Sequence, residues 1–392
     1  VSEFDVQDIT LDSLRQRTSA KWRAYDPDVI PAWVAEMDFP LAAPIAAALH
    51  AAIDRSDVGY RFIGELPEAL AEHSLATWGW VVDPAHVVVL PDVLTSVAQS
   101  ISALTAPGDG VVVNTPVYPP FFSTIRDISG RMIVDVPLLR EADGRYELDI
   151  DGLASAFARP EVTAYLLCSP HNPTGLTPSA GTLAEIAALA LEHGVAVIAD
   201  EIHAQLAHPG TIHTPFLTLA SSELTAVSLV SASKAWNIAG AKCAQIVAGS
   251  QRVADILAER VPLEVTYATG HFGVLAAIAA YRDGGPWLEQ VRTQIAANAL
   301  AVHEAVAASM PAVRYVAPAS SYLGWMDFSA CGMGDDPSAF FLEHARVALS
   351  AGPTFGQGGD GFVRLNFGTS PSILDEVLAR MSRSLAVRGS GA

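Results

Sequence analysis

Positive charge is scarce in this chain. Its 392 residues hold 23 Lys and Arg against 42 Asp and Glu, a formal net charge of −19 and a pI near 4.8. With no basic run to offset it, that balance repels nucleic acid and anionic membrane and excludes both as partners. Cysteine is almost missing. Cys168, Cys243 and Cys331 are an odd set with no Cys-x-x-Cys spacing, which argues against a zinc or dithiol site and fits a reducing cytosol. No stretch reaches the roughly 18 uninterrupted apolar residues of a membrane helix. The acidic opening Val1-Ser2-Glu3-Phe4-Asp5 lacks the basic and apolar regions of a signal peptide, so a cytoplasmic protein is expected. The eleven histidines form no His-Glu-x-x-His pair, and no Gly-x-Ser-x-Gly elbow occurs, so metal-site and serine-hydrolase chemistry lack an anchor. The glycines of Gly356–Gly361 have dinucleotide-like spacing but precede a strand instead of following one, and read as a flexible loop.

Apolar residues, by contrast, are plentiful at 51%, enough for a large core. Short apolar runs alternate with longer helical patterns, which predicts α/β architecture with a largely parallel sheet. Strands are expected at 87–90, 111–113, 165–168, 195–199 and 227–230, with helices at 95–104 and 183–193, the latter stopped by Gly194. The stretch 41–53 reads as a buried amphipathic helix. From about 286 the character changes. Helices over 272–281 and 287–308, strands at 324–328 and 362–367 and a last helix over 373–387 suggest a smaller α+β domain. The expected division is a large domain over 45–285 and a small domain from 1–44 and 286–392, with the tail from Arg388 frayed.

Four polar segments carry the chemistry, three of them just beyond strand ends, where open α/β sheets bind ligands. In order they are Ser169-Pro170-His171-Asn172-Pro173-Thr174-Gly175, then Asp200-Glu201-Ile202-His203, then Ser231-Ala232-Ser233-Lys234, and near the C-terminus Arg364 within an apolar strand. Any one alone has an ordinary explanation: a turn, a cap, a surface lysine. Together they are the polar parts needed to hold pyridoxal phosphate (PLP) and an amino acid. A buried lysine with a lowered pKa suits Schiff-base chemistry. A buried aspartate can pair with a pyridinium nitrogen. A buried arginine needs an anion, either a structural carboxylate or a substrate's. Backbone N–H groups of Val93 and Leu94, with Thr95, can cradle a phosphate where a strand meets a helix start. Asp92 beside them either disfavours a dianion or simply caps the helix. Ser231, Ser233 and Lys242 are further phosphate candidates. Tyr118 can stack on a flat ring, and His203 can bond a ring oxygen, with His171 a second candidate.

On these segments, together with Trp33-Val34-Ala35-Glu36-Met37-Asp38-Phe39, Gly59-Tyr60, Tyr118-Pro119-Pro120-Phe121 and Tyr322-Leu323-Gly324-Trp325, the chain resembles the fold-type I PLP enzymes of the class I/II aminotransferase superfamily. Within them it is most similar to the MalY/PatB-type cystathionine β-lyases, also called C–S lyases. The resemblance covers nearly the whole chain. It implies Lys234 as the Schiff-base lysine, Asp200 on the ring nitrogen, Asn172 on the ring oxygen, Tyr118 over the ring and Arg364 on the substrate carboxylate. It also implies a homodimer in which Tyr60 reaches the phosphate of the neighbouring subunit. Glu36, Met37 and Tyr322 are expected at the entrance, Tyr322 toward the substrate. Three positions depart from the family pattern: Asp92 in place of glycine, Lys242 in place of arginine and Ser321 in place of threonine. The expected reaction is α,β-elimination on an L-amino acid bearing sulfur at Cβ. The alternatives are a PLP-dependent aminotransferase and a regulatory PLP-binding protein without turnover.

Overall fold

The computed structural model describes residues 4–390. Its centre is a seven-stranded sheet whose strands are β1 (Val87–Leu90), β2 (Gly110–Val113), β3 (Met132–Asp135), β4 (Val162–Cys168), β5 (Ala196–Asp200), β6 (Ala226–Val230) and β7 (Ala244–Ala248). The order across the sheet is β1-β7-β6-β5-β4-β2-β3. The pairings among β2 to β6 are parallel, and β7 runs antiparallel to both β6 and β1. β4 to β7 are buried along nearly their whole length, as continuous apolar runs require when both faces are covered. Alternation sends Leu166, Ile198 and Leu229 to one face, against the helices Val93–Leu104 and Gln251–Arg260. It sends Tyr165, Val197 and Ala199 to the other, against Ile150–Phe157 and Ala180–His193.

Register aligns the business ends. Cys168 pairs with Asp200 and Asp200 with Leu229, so the segments after β4, β5 and β6 leave one edge of the sheet together. Leu90 pairs with Ala244, and Gln245 with Val230, which adds the segment after β1 to the same edge. A second sheet of four strands follows: β8 (Arg314–Tyr315), β9 (Leu323–Asp327), β10 (Ser350–Ala351) and β11 (Phe362–Asn366), in the order β8-β9-β11-β10. The 25-residue helix Gly285–Ser309 and the C-terminal helix Pro371–Ser390 belong with it.

Five sequence expectations need correction. The helix expected from residue 95 begins at Val93, because Asp92 caps it by accepting from Thr95 N. The helix near 41–53 forms over Ala43–Asp54 but buries Ile45 and Ala52, leaving Leu41 and Ile53 exposed, so it lies at the surface. β7 was not anticipated; it returns antiparallel after the 13-residue connection 231–243. The loop at Gly356–Gly361, expected to be flexible, is packed at part of its length: Gly359 and Gly361 are buried and a Cβ on Gly356, at φ +87°, would stand 2.8 Å from Phe122 and Thr115, while Gln357, Gly358 and Asp360 are exposed. The last helix continues to Ser390 where a frayed tail was expected, and Gly391 and Ala392 lie outside the described residues, as do Val1, Ser2 and Glu3.

Candidate active site

The aligned edge of the large sheet holds a cavity of about 200 Å³, lined by Val93, Leu94, Tyr118, Asn172, Asp200, His203, Ser233, Lys234 and Lys242 among others. Each side chain arrives by local necessity. Asp200 is the last residue of β5 and is buried; its Oδ1 accepts from Ile202 N at 3.1 Å. Burial pushes its carboxyl up to about 7, and the neighbouring Glu201 adds to that. Lys234 lies in the short helix Ala232–Ala235, opened by Ser231, whose hydroxyl accepts from Ser233 N. Its Nζ donates to Ala35 O at 2.7 Å. Burial, helped by the Arg364 charge, lowers the amine to about 8.

The Asn172 loop is fixed from beneath. His171 Nε2 lies 3.1 Å from Asn114 O, Thr174 Oγ1 lies 3.2 Å from His171 Nδ1, and Gly175 N donates to His171 O. Gly175 sits at φ +70°, where an added Cβ would come within 2.3 Å of Pro318 Cβ. His171 therefore positions the loop and is not among the cavity-lining residues, and burial lowers it to about 4.

Arg364 is the most telling group. Its Nη1 donates to Asn172 Oδ1 at 3.0 Å, its Nη2 to Trp33 O at 2.8 Å and to Ser350 Oγ at 3.1 Å, and its plane lies over Phe355. Nε is buried and has no partner among the described residues. Among the described residues no carboxylate forms an ion pair with it. Burial lowers even this guanidinium to about 10. Of the two readings of a buried arginine, the structural carboxylate is the one the fold does not supply.

At the other end, Asp92 acts as the helix cap while its Oδ2 accepts from Lys242 Nζ at 3.1 Å. Thr95 N and Ser96 Oγ are both engaged by Asp92, so the donors left at this helix start are the N–H groups of Val93 and Leu94. Ser231 does not line the cavity; its hydroxyl donates to Cys243 O. Tyr322 and Met37 are fully buried rather than at an entrance. Tyr322 OH donates to Ala35 O, and Met37 exchanges backbone bonds with the Asn237 side chain. Glu36 is partly buried and accepts from Ser19 Oγ. Tyr60 is 95% exposed and lies outside this chain's cavity. The sequence reading missed Ala35, whose carbonyl receives both Lys234 and Tyr322, because a backbone oxygen leaves no mark in composition. It also missed that Cys168 and Cys243 line the cavity.

The aminotransferase class I and II family model matches residues 35–381. The chain belongs to that family. Similar family members include the cystathionine beta-lyase PatB of Bacillus subtilis, 36% identical over 92% of this chain and 93% of the relative. A cystathionine beta-lyase of Corynebacterium glutamicum is 31% identical over 96% and 99%. Among solved structures, cystalysin from Treponema denticola, which contains a pyridoxal 5′-phosphate cofactor, superposes with a TM-score of 0.90 at 26% identity, covering 95% of this chain and 97% of that one. Family enzymes are PLP-dependent, and the residues present fit that group. Asp200 is a buried carboxylate with a single N–H partner, short of the two or three donors that would stabilise its charge. Lys234 supplies an amine near neutrality, and the N–H groups of Val93 and Leu94 at a helix start have no acceptor among the described residues.

Proposed function

We propose that this chain is a PLP-dependent C–S β-lyase that converts L-cystathionine, or a related cysteine S-conjugate, and water into a thiol, pyruvate and ammonia. The observation that carries the amino-acid part is Arg364, which is buried, has no carboxylate partner among the described residues, is bonded to the cavity-lining Asn172 and lies close enough to Lys234 for its charge to lower that amine. The names of the family relatives support the lyase part. Bound PLP supplies the electron sink for the pair released when the substrate Cα–H bond breaks. Lys234 Nζ takes that Cα proton, a task suited to an amine held near 8. Asp200 keeps a proton on the ring nitrogen; a cationic N–H facing it restores the charge that burial disfavours. Arg364 takes the substrate carboxylate by its fork, and Asn172, whose Oδ1 accepts from Arg364, keeps its amide N–H groups for the ring oxygen. Tyr118, packed edge-on against Phe121, covers the ring position. Val93, Leu94, Ser233 and Lys242 take the phosphate.

Two further expectations join this reading. The division into 45–285 and 1–44 with 286–392 is supported by the separation of the two sheets and by the break at Gly284, whose carbonyl accepts from Trp236 Nε1. A homodimer with Tyr60 serving the neighbouring site is supported by the exposed Val58, Tyr60 and Phe62, which adjoin exposed Tyr267 through Arg61. The test is release of pyruvate and free thiol from L-cystathionine by PLP-loaded protein with no keto acid added. Stoichiometric release over many turnovers is expected. No pyruvate, with amine-form cofactor that a keto acid reverts, identifies an aminotransferase instead.

A further inference from the structure

We infer that Ser321 is a positioning residue that fixes the tautomer of His203, so that His203 presents an Nε2–H donor to the cofactor cavity. Ser321 immediately precedes buried Tyr322 and has φ +70°, a left-handed conformation that a non-glycine residue adopts only when its surroundings impose it. Three contacts impose it here. Ser321 N donates to Leu206 O at 2.9 Å. Ser321 O accepts from His208 Nε2 at 2.6 Å. The hydroxyl lies 3.1 Å from His203 Nδ1. The two backbone contacts and the bridge between Ala207 and Ser320 stitch this loop to the turn that follows Asp200. What they aim is the hydroxyl.

The direction of the Ser321–His203 bond follows from counting partners. Both side chains are buried, and among the described residues Nδ1 is the hydroxyl's only partner. If His203 carried its proton on Nδ1, the imidazole would donate to Ser321, and the serine O–H would be buried with no acceptor. If the proton sits on Nε2, serine donates to Nδ1, and every donor on this side of the ring is matched. A buried donor left unmade is the costlier alternative. Nε2 has no protein partner among the described residues, and His203 lines the cavity. Burial and the positive charges of Lys234 and Arg364 hold the ring neutral, with its pKa lowered to about 3, so one nitrogen donates and the other accepts. On the reading that the cavity holds PLP, on which only the consequence rests, the Nε2–H meets the ring oxygen alongside Asn172. The second nitrogen of a histidine setting the role of the first is a general device. Here the setting group is a hydroxyl on a strained residue in the bend just before β9.

The experiment is tautomer-sensitive ¹H–¹⁵N correlation on PLP-free protein with ¹⁵N-histidine, with His203 assigned through His203→Gln. The Nε2–H pattern is expected in the wild type. Two variants separate the hydroxyl from the backbone strain. Ser321→Gly removes the hydroxyl and relieves the positive φ; the pattern shifts toward Nδ1–H or an average, while the thermal midpoint does not fall. Ser321→Thr keeps the hydroxyl but puts a branched side chain at positive φ; the Nε2–H pattern persists, while the midpoint falls. In the loaded enzyme, Ser321→Gly alters the visible cofactor band and lowers kcat about tenfold, as expected for a weakened hydrogen bond to a charged oxygen. An Nδ1–H wild type, or a Ser321→Gly spectrum indistinguishable from the wild type, overturns the inference. Both results are read without substrate, so they stand apart from failure of the lyase reading, which the pyruvate assay reports.

Discussion

Replacing Lys21 with methionine should destabilise this protein far more than its distance from the chemistry suggests. Lys21 Nζ and Asp38 Oδ1 are 2.8 Å apart with side chains 2% and 3% exposed. At that separation the gross attraction is about 6 kcal/mol at an effective dielectric of 20, most of it offset by desolvation. Removing one partner keeps the desolvation and loses the attraction. In Lys21→Met, Asp38 Oδ1 retains only the Trp22 Nε1 donor at 3.2 Å, and the loss should be ~3–5 kcal/mol. The double variant Lys21→Met, Asp38→Asn has no charge to strand and should return to within about 1 kcal/mol of the wild type. Urea unfolding of PLP-free protein, followed by circular dichroism, measures all three. A single-variant loss below about 1 kcal/mol, or a double variant worse than the single, refutes the reasoning. The site should feel the change too. Lys21 Nζ also donates to Glu36 O at 2.9 Å, and Arg17 holds the carbonyls of Asp38 and Phe39. The adjacent Ala35 carbonyl receives Lys234. Loosening this segment should lower pyruvate release beyond what the unfolded fraction explains.

Lys234→Ala should abolish pyruvate release while leaving circular dichroism unchanged; turnover in that variant would remove Lys234 from the mechanism. Asp200 has its folded pKa raised to about 7 from roughly 3.9 unfolded, so its contribution to stability is present below the lower value and lost as pH rises through the upper one. In PLP-free protein, Asp200→Asn should therefore gain stability relative to the wild type between pH 4 and 7, and urea midpoints showing the opposite trend would contradict the assignment. Arg364→Lys keeps the charge but loses the fork, and kcat/KM for L-cystathionine should fall ~10–100-fold; an unchanged value would mean the substrate carboxylate binds elsewhere. Tyr60→Ala, at a fully solvated position, should change protomer stability by no more than about 0.5 kcal/mol yet weaken PLP retention on dialysis, and unaltered retention would remove Tyr60 from the neighbouring site.

The parallel core of the large sheet was legible in the sequence, as were several of the polar residues that the structure brings to one cavity. Buried strands between helices need continuous apolar runs, and groups such as Asp200 and Asn172 stand immediately after such runs, where periodicity gives way to Gly, Pro and polar residues. Lys234 and Arg364 were legible for the same reason: a charged residue inside or just after a buried strand must have a partner. Tertiary structure alone decided which donors remain for ligands. Asp92 takes Lys242, Cys243 takes the Ser231 hydroxyl, and Asn114 takes His171; these claims cross 12 to 150 residues of chain, and nothing local records them. Tertiary structure also decided that the carbonyl of Ala35 meets Lys234, that Tyr322 and Met37 lie in the core, and that a strained Ser321 faces His203. Local pattern fixes what a residue is made to do along its own strand or helix; which neighbour it finds depends on packing between elements distant in sequence.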